Sequence, residues 1–298
     1  MILLTVTTPI GPRLAIKNSS GIAVLDNAQA GKTGLPPSLN QALMITGGID
    51  QLRDFVRENT SGKSSLKFVS EDDVKIGPLF TPRNILCIGL NYRDHVAETG
   101  AALPEKPVVF AKLTSCVIGA RDSIVLPPDT TEVDYEAELA VVIGRTCRGV
   151  SAEKALDYVA GYTCMNDVSA RDFQRGDGQW VRAKSQDTFG PMGPYLVTTE
   201  DIPDPQALTI RCYVNGKILQ DSNTSNMIFG VRELIAFISR GITLQPGDVI
   251  TTGTPPGVGF ARKPPIFLKA GDEVIVEVQG LGRLVNPVVA QGAVKSTV

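Results

Sequence analysis

A mixed, β-dominated α+β fold is what this sequence predicts, and three observations carry the prediction. Gly and Pro, 29 and 20 residues, make up about a sixth of the 298-residue chain, so turns are frequent and elements short. Several segments of strand length are apolar or alternating and end in turn residues, whereas few stretches carry helical periodicity. The two kinds of segment do not alternate regularly, which argues against a chain of βαβ units.

The elements follow in order. Arg13–Ile16 and Ile22–Leu25 flank the turn Asn18-Ser19-Ser20-Gly21 and read as a hairpin. Ile49–Glu58 is a helix candidate, and Ser151 is placed to cap a short helix running through Ala160. Val231, Leu234, Ile235 and Ile238 stand at i, i+3, i+4 and i+7, with Gly241 as the stop signal of a third helix. Leu244–Ile250 and Leu268–Ile275 echo each other: each is a Gly-Asp turn feeding a β-branched run, the pattern of antiparallel strands. The polar stretch Asn59–Ser65, followed by Ser70–Asp73, places a boundary near residue 75. It divides a small N-terminal α/β module (1–75) from a larger domain (76–298), with a long surface loop inside one domain as the other reading.

Composition excludes several function classes. Lys and Arg total 29 against 31 Asp and Glu, a formal charge of -2 that gives no support for a nucleic-acid partner or a polybasic membrane surface. No apolar run approaches the roughly 18 residues needed to cross a bilayer. The first residues have neither a basic segment nor a long apolar one, which makes them a poor signal peptide. Cys87, Cys116, Cys147, Cys164 and Cys212 are odd in number and never spaced C-x-x-C, so a disulfide scaffold and a zinc site are both disfavoured and a reducing, cytoplasmic setting is expected. His95 is the only histidine, which removes every chemistry that needs two imidazoles. An enzyme with this composition must work largely with carboxylates, lysine and a metal.

Four stretches offer such groups. In Glu132-Val133-Asp134-Tyr135-Glu136-Ala137-Glu138, acids alternate with other residues, so an extended chain sets Glu132, Asp134, Glu136 and Glu138 on one face. Like charges at every second position repel, and a hard cation such as Mg²⁺ or Mn²⁺ would relieve them. A solvated charged strand face is the other reading, and this segment alone leaves both open. His95 and Glu98 are three apart, close enough on one helical turn for the carboxylate to orient the imidazole as a base; an ordinary polar helix face has the same spacing. Asn166–Asp172 and Ala183–Pro191 bring an acid, an arginine and a lysine within twenty residues. Thr251–Gly259 is a Thr-Gly-Pro loop without the ending of a Walker motif, and is either a structural turn or an anion-contacting loop.

Taken together these stretches resemble the fumarylacetoacetate hydrolase family, including acylpyruvate hydrolases and related decarboxylases. The matching segments are NYRDHVAE (91–98), FAK (110–112), DYEAELAVVIG (134–144), NDVSARD (166–172), KSQDTFGP (184–191), PGDVITTGTPPGVG (246–259) and GLGRLVNPV (280–288). The resemblance implies a roll of mixed β-sheets assembled as a homodimer, with Mg²⁺ or Mn²⁺ on Glu136, Glu138 and Asp167. It implies His95 and Glu98 as a catalytic pair on a lid, and Lys184 as a catalytic and substrate-binding lysine. Arg171 and Thr254 become substrate contacts, with Lys112 a weaker one. The expected substrate is a small anionic 2-oxo acid. The expected reaction is hydrolysis of a C–C bond in an acylpyruvate-like 2,4-dioxo acid through a pyruvate enolate. Decarboxylation or keto–enol tautomerisation of an oxaloacetate-like acid is the alternative enzymatic reading, and a non-catalytic metal-binding β protein the alternative of another class.

Overall fold

The computed structural model describes residues 1–25, 35–45, 47–60 and 66–293. The polar residues 61–65, which helped to place the boundary near residue 75, lie outside the described residues. The chain begins with β1 (Ile2–Thr8), β2 (Gly11–Asn18) and β3 (Gly21–Val24), then helices α1 (Leu39–Met44) and α2 (Gly48–Thr60). The expected hairpin is β2–β3, closed by the pair Asn18↔Gly21 around Ser19-Ser20. Next come β4 (Lys75–Ile76), β5 (Ile85–Gly89), α3 (Arg93–Thr99), β6 (Val108–Lys112), β7 (Val117–Ile118) and β8 (Ile124–Leu126). The central part holds β9 (Val133–Asp134), β10 (Ala137–Ile143), β11 (Val159–Asn166), β12 (Ser169–Ala170), α4 (Arg171–Asp177), α5 (Val181–Lys184) and β13 (Gly190–Thr198). The last part holds β14 (Thr209–Val214), β15 (Lys217–Asn223), α6 (Val231–Ser239), β16 (Val249–Thr251), β17 (Glu273–Val278) and β18 (Gly282–Ala290).

The strands build an eleven-stranded sheet of order β3-β2-β1-β13-β11-β10-β16-β5-β6, with β4 beside β1 and β7 beside β13. A five-stranded sheet, β15-β14-β17-β18-β8, and the short pair β12-β9 complete the set. This is the β-dominated mixed-sheet architecture the sequence predicts. Every residue of β10 is buried, and its side chains alternate between two cores. Leu139, Val141 and Ile143 pack with Ile210, Cys212, Val274 and Val276 of the smaller sheet, whereas Ala140 and Val142 share a cluster with Leu3, Leu14, Leu43 and Leu52. A strand covered on both faces reads as a continuous apolar run, which is why the sequence from Leu139 to Ile143 does not alternate.

Three local expectations need correction. The acidic run is not one strand: β9 ends at Asp134 and β10 begins at Ala137. Side chains replace the ladder there, with Asp134 Oδ1 accepting the Tyr135 N–H and Asn166 Oδ1 the Glu136 N–H. The helix placed from Ser151 to Ala160 is a 3₁₀ segment, Ala152–Tyr158, and Val159 already starts β11. The Ser151 side chain makes no capping hydrogen bond to it. The strand after the first Gly-Asp turn, β16, is antiparallel to β10 but parallel to β5. The helix expected around residue 235 is α6, with Val231, Leu234, Ile235 and Ile238 all buried.

Candidate metal centre and cavity

Strand register assembles the centre. In the β10–β11 ladder Ala137 pairs with Asn166 and Glu138 with Met165. The Asp167 N–H then donates to the Glu136 carbonyl at 2.9 Å, holding the chain beyond β11 against the chain before β10. Carboxylates 29 and 31 positions apart in sequence thus become neighbours: one oxygen each of Glu136, Glu138 and Asp167 lies within 4.8 Å of the other two, and all three residues are buried. The remaining acids of the run go elsewhere. Glu132 pairs with Arg175 at 2.6 Å on the surface, and Asp134 pairs with Arg171 at 2.9 Å.

Three cations surround this cluster. Lys184 Nζ donates to Glu136 at 2.6 Å and to Asp167 at 2.7 Å, leaving one of its three N–H groups without an acceptor among the described residues. Arg171 donates through Nε to Asp134 at 2.9 Å, through Nη2 to Glu136 at 2.6 Å and through Nη1 to Gln174 at 2.9 Å. Lys112 Nζ donates to Asp167 Oδ1 at 2.7 Å and to the carbonyls of Val168 and Lys184. Its three donors are all directed at protein acceptors.

The electrostatics follow. Burial opposes ionisation of Glu136, but the charges of Lys184 and Arg171 outweigh it and hold its carboxyl down at about 2. For Glu138, burial and then the charges of Asp167 and Glu136 push the carboxyl well above the usual range. Burial acts to lower the pKa of Lys184, yet Asp167 and Glu136 raise it overall, so it stays an ammonium. A buried, all-oxygen set in which one carboxylate is electrostatically strained fits a hard divalent cation.

Helix α3 and the loop after β16 close the site from another side. His95 is buried, with Nδ1 3.1 Å from Glu98 Oε2. Glu98 also accepts the Gly257 N–H at 2.9 and 3.1 Å, which ties α3 to the loop. Gly253 donates its N–H to Glu138 at 2.9 Å from a φ of +92°; a Cβ there would come within 2.8 Å of Asn91 Cβ. Thr254 Oγ1 donates to the Ala137 carbonyl at 3.0 Å and accepts from Gln220 at 2.8 Å, so its hydroxyl is anchored beside β10.

A cavity of about 200 Å³ opens onto these groups. His95, Glu136, Glu138, Arg171, Lys184 and Thr254 all line it, whereas Asp167, Glu98 and Lys112 stand behind lining residues. Six of the nine residues expected from the sequence are therefore brought to one cavity, and each of the other three contacts at least one of them. Sequence reasoning missed the apolar wall, Phe110, Trp180 and Phe260, and the amide of Gln174. Gln174 had a usable signal in its i+3 spacing from Arg171 on α4. Trp180 packs edge-on against Phe110 at 5.1 Å and had none.

Comparison with known proteins identifies the family. Residues 84–289 match the family model described as fumarylacetoacetate (FAA) hydrolase, C-terminal. The chain is 43% identical over 282 residues to a mitochondrial oxaloacetate tautomerase, FAHD2A of Bos taurus, covering 94% of this chain and 88% of that one. Among solved structures it resembles a fumarylacetoacetate hydrolase of Exiguobacterium antarcticum, at 33% identity and a TM-score of 0.81 over 98% of this chain and all of the other. It also resembles the maleylpyruvate hydrolase of Sphingobium sp. SYK-6 in complex with manganese(II) and pyruvate, at 30% identity and a TM-score of 0.79 over 97% and 99% of the two chains. By sequence and by fold, this chain belongs to the fumarylacetoacetate hydrolase family.

Proposed function

We propose that this chain is a divalent-metal-dependent enzyme that interconverts the keto and enol forms of an oxaloacetate-like 2-oxo acid. The observation that carries the reading is that His95, held by Glu98, lines the same cavity as Glu136, Glu138 and two buried cations, Arg171 and Lys184. Glu136, Glu138 and Asp167 would hold Mg²⁺ or Mn²⁺, which when bound supplies Lewis acidity toward a 2-oxo acid. Arg171 and the free N–H of Lys184 receive the substrate's carboxylate, Arg171 through its planar fork. The same cations favour the enolate because its charge develops beside them in a buried site. With Nδ1–H donating to Glu98, Nε2 of His95 is left to act as the base. His95 then takes a proton from carbon 3 and returns one to oxygen, or the reverse, with no water consumed.

Two findings rank the alternatives. The tautomerase reading is supported by the name of a relative that is 43% identical over nearly the whole chain. C–C hydrolysis of an acylpyruvate-like 2,4-dioxo acid is supported by the likeness to a maleylpyruvate hydrolase holding manganese and pyruvate. It needs the same carboxylates and cations, with His95 acting on water. The test is a pair of assays, decay of oxaloacetate enol absorbance and pyruvate release from acetylpyruvate, each with and without a chelator. Metal-dependent acceleration of the first alone supports the tautomerase, and of the second the hydrolase. Acceleration of neither removes both.

We also propose a homodimer, supported by the exposed Leu103, Val108, Val109 and Leu113 on and around edge strand β6; light scattering reads the mass. All five cysteines are free and buried, which suits a reducing compartment such as the cytoplasm. No helix among the described residues is long and apolar enough to cross a membrane.

A further inference from the structure

The geometry points to Asp134 and Phe260 as a positioning pair that fixes the plane of the Arg171 guanidinium for the substrate carboxylate; the inference rests on the proposed role of Arg171. Asp134 belongs to the acidic run yet stands outside the metal triad, and it is fully buried. Its Oδ1 accepts the N–H groups of Tyr135 at 2.8 Å and Gly259 at 2.7 Å. Its Oδ2 accepts Arg171 Nε at 2.9 Å and the Phe260 N–H at 3.1 Å. One carboxylate thereby joins β9, the helix that carries Arg171, and the loop at residues 259–260. Gly259 makes the approach possible, because a Cβ there would meet the Ile266 carbonyl oxygen at 1.9 Å and Asp134 Oδ1 at 2.6 Å.

The guanidinium is held in two senses. Within its plane, Asp134, Glu136 and Gln174 each take one N–H, leaving two of the five without a protein acceptor among the described residues. Across its face, the Phe260 ring lies 4.4 Å from Cζ, and the backbone of Phe260 is pinned by the same Asp134 oxygen that holds Nε. In-plane bonds fix rotation and the ring fixes tilt. An arginine so held has lost its rotamer freedom on folding and loses little more when an anion arrives, which is where preorganisation improves affinity.

A carboxylate suits this position and an amide does not. Each Asp134 oxygen faces two donors, whereas Asn presents a donor of its own on one side. Asp134→Asn therefore sets an NH₂ against either the Arg171 pair or the Gly259 pair at almost unchanged volume.

The test uses the full chain loaded with Mn²⁺, with pyruvate as the binding probe and oxaloacetate as substrate. Asp134→Asn should weaken pyruvate binding and raise KM about tenfold, lower kcat less, and keep the Mn²⁺ Kd within about threefold. Phe260→Leu should move KM and the pyruvate Kd in the same direction by about threefold, and it decides the matter if the Asp134 variant does not fold. Arg171→Lys is the reference, because a point charge cannot reproduce the fork. Wild-type pyruvate affinity in both positioning variants, with weakened binding in Arg171→Lys, overturns the inference. Unchanged binding in Arg171→Lys overturns the role of Arg171 itself. A loss of Mn²⁺ affinity in Asp134→Asn as large as that in Glu138→Ala also overturns the inference, since it would make Asp134 part of the metal centre.

Discussion

Replacing Lys184 with Met should destabilise the metal-free protein strongly and the metal-loaded protein less. Lys184 is buried, and its ammonium bridges Glu136 at 2.6 Å and Asp167 at 2.7 Å. Met matches the stem in volume but leaves two buried carboxylates short of a counter-charge. Removing one partner of a buried ion pair costs about 3–5 kcal/mol. Unfolding entropy for a chain of this length is about 0.6 kcal/mol per degree, so Tm should fall by about 5–8 °C. A divalent cation on the same carboxylates restores the missing charge. At about a hundredfold excess over Kd the cation itself stabilises by about 2.7 kcal/mol, or about 4 °C. Wild type gains from metal too, but its ammonium already neutralises those oxygens, so the variant should bind the cation more tightly. A Kd about tenfold to a hundredfold tighter would close the Tm gap by about 1.4–2.7 kcal/mol, or about 2–4 °C. Scanning calorimetry of both proteins in chelator and in excess Mn²⁺ gives all four temperatures. A metal-free variant melting within about 1 °C of wild type would refute the reasoning, as would a gap unchanged by metal.

Other outcomes follow from the same geometry. Glu138→Ala should weaken Mn²⁺ binding at least about a hundredfold in titration calorimetry, whereas Glu132→Ala, whose carboxylate faces Arg175 on the surface, should change it less than about twofold. His95→Ala should slow proton transfer by about 10²–10⁴ in the enol-decay assay, and Glu98→Gln should slow it less, since that change reorients the imidazole without deleting it. Glu71, Lys17 and Tyr195 form a mutually hydrogen-bonded cluster joining residues before β4 to β13. Burial acts to raise the Glu71 pKa, but the bonds from Lys17 and Tyr195 lower it overall from 4.5. Its stabilising contribution is therefore complete above pH 4.5 and lost as pH falls through the lower folded value. Glu71→Gln should accordingly lower Tm at pH 7, and its deficit should shrink in thermal melts taken progressively below pH 4.5; a deficit independent of pH would remove the ion pair as its cause.

What the sequence alone determined is what lies within a turn or a strand. His95 and Glu98 meet because three residues of helix set side chains on one face, a rule that needs no tertiary contact. The single histidine likewise made any imidazole chemistry the property of one residue. The helix at Val231–Ser239 and the hairpin β2–β3 were legible for the same local reason. Legibility ended where local rules compete with side chains. Ser151 stands before a 3₁₀ turn rather than a helix reaching Ala160, because the chain from Val159 is taken into β11. The acidic run breaks in the middle because Asp134 and Asn166 supply acceptors that a strand partner would otherwise give.

Which acids share a cation was beyond spacing altogether. Alternation makes Glu132, Asp134, Glu136 and Glu138 equivalent; family resemblance selected Glu136 and Glu138 and added Asp167 without a physical reason. The β10–β11 register supplies that reason, since it sets Glu136 against Asp167 through a backbone bond and leaves Asp134 to Arg171. Lys112 shows the same limit from the other side: it was expected as a weaker substrate contact, yet its three donors are directed at Asp167 and two carbonyls behind the cavity. Sequence carries the residue types and their local faces. Pairing between strands far apart in the chain decides which of those faces meet, because register is set by the summed fit of both cores rather than by any residue of the site.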